Sequence, residues 1–160
     1  MQNLIVIFTF RKKIMNPESI LNKLKGKSGT YILVIKVPER ITISVGKLSK
    51  TPLTFSKGYY LYCGSALGKN GLYNRVRRHF SKEKKIRWHI DYLLGKGKIT
   101  DVIFDAEPVR KECIYAMKYL ESGLSPVPDF GSSDCKCISH LFFDSIGLRK
   151  INRMTKINKS

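Results

Sequence analysis

The sequence predicts one α+β domain, a small antiparallel sheet of three strands flanked by helices. Three observations lead there. Between residues 31 and 64, three short segments carry the unbroken or alternating apolar pattern of strands, joined by short connections as in an antiparallel meander. Beyond Gly68 the apolar period lengthens from two residues to about 3.6, the repeat of an amphipathic helix. The chain has 160 residues, 42% of them hydrophobic and 26% charged, an ordinary globular composition with room for one domain rather than two.

The elements follow in order along the chain. Asn16, Pro17 and Glu18 read as a helix start. The Lys-rich helix over 16–28 places Ile20, Leu21 and Leu24 on one face before Gly26 stops it. Tyr31-Ile-Leu-Val-Ile35 is a continuous β-branched run, the pattern of a central strand covered on both faces. After a turn at Pro38-Glu39-Arg40, Ile41, Ile43 and Val45 alternate with Thr42 and Ser44 in a half-buried partner strand. Gly58-Tyr-Tyr-Leu-Tyr-Cys-Gly64 is the third strand, with Tyr60 and Tyr62 on one face and Tyr59 on the other. Leu72, Val76 and Phe80 then mark one side of a helix, with Arg75, Arg78 and His79 beside it. Trp88 to Leu94 is a second helical segment ended by Gly95 and Gly97, and Ile99 to Phe104 is a short strand or an extended link. Pro108 opens a helix through Glu121, with Cys113, Met117 and Leu120 as its buried stripe and Gly123 as its end. Residues 125–137 are loop by composition, and Ile138 to Phe143 is a last strand or a helix turn. The expected domain is 16–146. Residues 1–15 form an N-terminal extension, with Met15 a candidate native start, and 147–160 a basic tail.

Charge narrows the function. Lys and Arg total 30 against 12 Asp and Glu, a formal net charge of +18. Such a field repels itself and persists where a polyanion neutralises it, nucleic acid first and an anionic membrane surface second. The apolar run from Leu4 to Phe10 is far short of the roughly 20 residues that span a bilayer. It also lacks the flanks of a signal peptide, so a cytoplasmic protein with no membrane partner is expected. In that compartment Cys63, Cys113, Cys135 and Cys137 are expected as reduced thiols, the first two as small core residues.

Lys69, Arg75, Arg77, Arg78, Lys82, Lys84, Lys85 and Arg87 are opposed by Glu83 alone over their stretch, and form a candidate phosphate-facing patch or a solvated helix face. His89, next to Trp88, is a candidate nucleic-acid contact. Glu112 could offer Mg²⁺ the single carboxylate that ion commonly takes, or form an ordinary ion pair. Cys135, Cys137 and His140 are zinc-type ligands, with Cys113 a fourth in principle. The gap of one residue between the two cysteines is narrower than zinc pairs usually show, and no second pair follows. Spacing therefore argues against zinc and for a structural or redox role.

The order of these residues resembles a known pattern. Gly29-Thr30-Tyr31, Tyr62-Cys63-Gly64, then Arg75 and His79 on a helix and Glu112 on a later one resemble the GIY-YIG nuclease superfamily, with Thr30 and Cys63 in place of the middle hydrophobes. A closer likeness covers roughly residues 28–145. The stretches Gly58 to Gly68, Trp88 to Leu94 and Gly131 to Leu141 resemble a branch of that superfamily common in archaea and sometimes fused to DNA-repair glycosylases. The resemblance implies the three-stranded sheet with flanking helices, Tyr31 and Tyr62 as the motif tyrosines with one as general base, and Arg75 as the arginine on the pentavalent phosphate. It implies further that His79 stands near the nucleophile and that Glu112 binds metal. Many superfamily members carry a later asparagine near the metal; here none occurs before Asn152, and Asp129, Asp134 or His140 would stand in its place.

The expected function is a metal-dependent endonuclease hydrolysing phosphodiester bonds in DNA, in repair or recombination, with Mg²⁺ or Mn²⁺ as cofactor. RNA stays open as a substrate, and a DNA-repair protein is a candidate partner. The alternative is a non-catalytic nucleic-acid-binding module or adaptor.

Overall fold

A computed structural model describes residues 15–145 and Gly147; the expected N-terminal extension and basic tail otherwise lie outside the described residues. Helix α1 (Pro17–Leu24) begins where the sequence places it, with proline in its first turn and the Asn16 side chain accepting from the Glu18 N–H at 3.0 Å. It buries Ile20 and Leu24.

Strand β1 (Gly29–Val37) is central, paired antiparallel along one edge with β4 (Gly58–Ala66) and along the other with β5 (Lys98–Asp105). The expected meander is therefore corrected. β4 and β5 fill both edges of β1, so the segment after the Pro38 turn cannot join it. Instead β2 (Ile41–Ile43) and β3 (Leu53–Phe55) form a separate two-stranded ribbon. The main sheet has five strands rather than three, in the order β5-β1-β4-β7-β6, all antiparallel. The additions are β5, β7 (Leu141–Asp144) and the two-residue β6 (Ser125–Pro126), with β5 and β6 as the outer strands.

Alternation along β1 and β4 divides the interior in two. Tyr31, Leu33, Ile35, Tyr60 and Tyr62 face a core completed by α1, by α2 (Gly71–Phe80) through Leu72 and Val76, and by α3 (His89–Leu94) through Ile90 and Leu93. Ile32, Val34, Leu61 and Cys63 face a smaller core covered by α4 (Glu112–Glu121). β1 is thus covered on both sides, as its unbroken apolar run predicts. Helix α4 departs from expectation twice. It starts at Glu112 because Pro108 to Arg110 remain an exposed loop, and its buried stripe is Ala116 and Tyr119, with Met117 53% exposed.

Candidate functional site

Two groups of side chains stand out, one on each face of the sheet. The first is built on the β1–β4 ladder, where Tyr31 lies opposite Gly64. A Cβ at Gly64 would fall onto Tyr31 Oη, so only glycine leaves room for the phenol. From there the hydroxyl reaches His79 on α2, with Oη 2.7 Å from Nε2. Tyr62 comes in from the same sheet face, its ring edge-on to His79 with centroids 6.3 Å apart. Arg75, one turn before His79, lies over the Trp88 ring at 4.4 Å.

The electrostatics follow from burial. Tyr31 and His79 are buried, at 1% and 3% exposure, and the second nitrogen of His79, Nδ1, has no hydrogen-bond partner among the described residues. Desolvation pushes the Tyr31 hydroxyl well up, and the nearby Tyr62 adds to it, while Arg75 pulls the other way. Tyr62 is raised by burial too, again opposed by Arg75. Burial drives His79 down to about 3. At neutral pH the pair is uncharged and Arg75 is the cation beside it.

The basic stretch around α2 divides by use. Arg78 grips Asp91 with two hydrogen bonds, at 2.9 and 2.8 Å, and donates to the Lys85 carbonyl at 2.7 Å. Lys84 Nζ donates to the His79 and Ser81 carbonyls at 2.8 and 2.9 Å, closing the C-terminus of α2. His89 Nδ1 accepts from the Gly131 N–H at 3.1 Å. These three are engaged inside the fold. Lys69, Arg77, Lys82, Lys85 and Arg87 are exposed.

Glu112 stands on the opposite face. Its Oε2 accepts from Ser65 Oγ, and its Oε1 is 3.9 Å from Arg110 Nη1. Ser65 in turn pairs with Thr30 Oγ1 at 3.1 Å, and Thr30 Oγ1 accepts from the Lys111 N–H at 2.9 Å. These contacts dock the start of α4 on the strand ends carrying Thr30 and Ser65, which alternate with Tyr31 and Gly64. Glu112 offers a cation one carboxylate, and Mg²⁺ commonly takes one or two from a protein.

The second group lies beyond Glu112. Cys113, Cys135, Cys137 and His140 bring their three sulfurs and one ring nitrogen within 4.8 Å of one another, a Cys3His set that could hold a metal. The spacing of Cys135 and Cys137 argues against zinc in the sequence, but α4 brings Cys113 to them as a third sulfur, so the four residues form a set that could hold a metal. His140 Nε2 is 3.6 Å from Cys113 Sγ and 3.4 Å from Cys135 Sγ. Burial, then contact with Cys137 and Cys135, pushes the Cys113 thiol up. Cys63 is buried in the smaller core and outside this group.

With this geometry in view, one family model matches the chain, over residues 30–159, described as a domain of unknown function, DUF123. The chain belongs to that family. No curated protein and no solved structure matches. The DUF123 match takes in both groups from Tyr31 to His140, whereas α1 lies outside it. Within the DUF123 domain, the sequence leaves Cys113 open between a small core residue and a fourth ligand in principle. The fold of residues 129–140 brings Cys135, Cys137 and His140 to it. Among the described residues, no helix is long and apolar enough to cross a membrane.

Proposed function

We propose that this protein is an endonuclease that hydrolyses phosphodiester bonds in DNA. The observation that carries the reading is the Tyr31–His79 hydrogen bond with Arg75 beside it, on a helix that exposes Arg77 and is followed by the exposed Lys82, Lys85 and Arg87. In this reading Arg75 offsets the charge that develops on the phosphate. Tyr31, held by its hydrogen bond to neutral His79, would orient the attacking water, whose proton leaves to bulk solvent as the phosphate is attacked. Tyr62 stands on the same sheet face, edge-on to His79. Glu112, docked on the strand ends at the other sheet face, would hold Mg²⁺ or Mn²⁺, and the reading requires bound DNA to reach from Arg75 to that carboxylate for the ion to polarise the phosphate and the leaving oxygen.

The test incubates purified protein with plasmid, branched and damaged DNA in the presence of Mg²⁺ or Mn²⁺. We expect cleavage, with Arg75→Ala and Glu112→Gln each slower by about 100-fold or more. Absence of cleavage on every substrate, or variants as active as the parent, would overturn the reading.

A second reading is favoured by a specific observation: Glu112 and its Ser65 partner alternate to the sheet face opposite Tyr31 and Tyr62. A non-catalytic nucleic-acid-binding module, serving as an adaptor for a repair enzyme, needs no convergence of those residues. It predicts DNA binding that is unchanged by Glu112→Gln and by leaving out Mg²⁺ and Mn²⁺.

A further inference from the structure

We propose that Cys113, Cys135, Cys137 and His140 bind one zinc ion in a closed structural site that clamps the 129–140 loop to α4 and so fixes the wall beside Tyr62.

The donor chemistry selects the metal. Three thiolates and an imidazole suit Zn²⁺ in tetrahedral coordination, and four protein ligands leave no open position for substrate, which marks a structural rather than a catalytic centre. The distances agree. Zn–S near 2.3 Å and Zn–N near 2.0 Å at tetrahedral angles put a sulfur and a nitrogen about 3.6 Å apart. The observed separations from His140 Nε2 are 3.6 and 3.4 Å. Ligand atoms within 4.8 Å of one another are too close to embrace an iron–sulfur cluster.

The surroundings are those of a built site. His140 is 5% exposed, and its ring also has the Gly131 backbone as a hydrogen-bond partner, which orients the imidazole as outer-shell partners of metal-bound histidines do. The His140 N–H donates to the Phe130 carbonyl at 2.8 Å, and the Asp129 N–H to the Ile138 carbonyl at 2.8 Å, so the loop folds back on itself and presents both cysteines to the histidine. The His140 carbonyl accepts from the Cys63 N–H at 2.9 Å, which ties the group to β4.

The site reaches the other sheet face through Gly131. A Cβ there would stand 3.1 Å from Tyr62 Cε2 and 3.4 Å from the His140 Cβ, so the loop backbone lies directly against the tyrosine ring. The Gly131 N–H also binds His89. A metal that joins Cys113 on α4 to Cys135, Cys137 and His140 therefore holds this wall in place across a stretch rich in Ser, Pro, Gly and Asp, where Phe130 anchors one end in the core and residues 131–137 add no buried apolar side chain.

The test needs no DNA and is independent of the nuclease reading. The full chain is purified under reducing conditions without added metal and analysed by elemental mass spectrometry. We expect one zinc per chain. Exchange for Co²⁺ should give the strong near-ultraviolet thiolate-to-cobalt bands and the intense visible bands of a tetrahedral centre. Chelator should lower the Tm by about 10 °C or more, and Cys113→Ser should lose stoichiometric zinc. Less than about 0.1 zinc per chain, iron in its place, a disulfide among these cysteines, or full zinc retention by Cys113→Ser would each overturn the proposal. The parent protein's metal content and cobalt spectrum decide the matter even if the variant fails to fold.

Discussion

Burial removes Tyr31 and His79 from the range in which either carries charge at neutral pH, and this has a thermodynamic signature. His79 has a folded-state value of about 3 against an ordinary 6.5. Below about pH 6.5 the unfolded chain takes up a proton that the folded chain refuses, so stability is whole at pH 7 and declines as pH falls toward 3. At pH 5 the loss is about 2 kcal/mol. His89 and His140 shift in the same direction, so the contribution of His79 is isolated by difference. Urea unfolding at pH 7 and pH 5 should show the loss in the parent, and a smaller one in His79→Gln. An equal decline in both would show that His79 is not the group responsible. Tyr31, Tyr62, Arg75 and His79 are legible as a group because motif order and helical spacing fix them locally. The use made of Arg78 is not, since its partner Asp91 lies on another helix, and the resemblance over Trp88 to Leu94 assigns that carboxylate no partner.

Helix α3 has six residues, too few to be stable by its own hydrogen bonds, and depends on what anchors its start. Asp91 is that anchor. It is 2% exposed, grips Arg78, and accepts from the Arg87 and Trp88 N–H groups at 2.9 and 3.1 Å. Burial alone would raise its carboxyl, but Arg78 and those backbone donors hold it down at about 2. Asp91→Ala strands a guanidinium and two backbone donors, and should cost about 3–5 kcal/mol in chemical denaturation. Asp91→Asn, which keeps an acceptor for the backbone, should cost less. Equal losses would place the whole effect in the ion pair. At this scale the sequence is readable where a pattern is long or capped, as in α1, β1 and α2. It is ambiguous for β5 and β7, where a short apolar run fits a strand as well as a helix turn. It misleads for β2, whose alternation is genuine but whose partner is β3, because β1 has no free edge.

The net charge of +18 belongs to the molecule as a whole, and so does its consequence for binding. If Lys69, Arg77, Lys82, Lys85 and Arg87 each neutralise one DNA phosphate, log K against log salt should fall with a slope of about −4 to −5. Arg77→Ala should flatten that slope by about 1, without regard to base sequence. A slope near zero would remove nucleic acid as the polyanion. The rims of the sheet carry a consequence of another kind. On one side β5 carries Lys98, Asp101 and Asp105 and skips Thr100 in its register with β1; on the other, β6 is two residues long and ends in Pro126, which has no N–H to give. A kinked, charged border and a truncated one without a donor are poor templates for another copy's strand, so the sheet resists edge-to-edge growth into fibres.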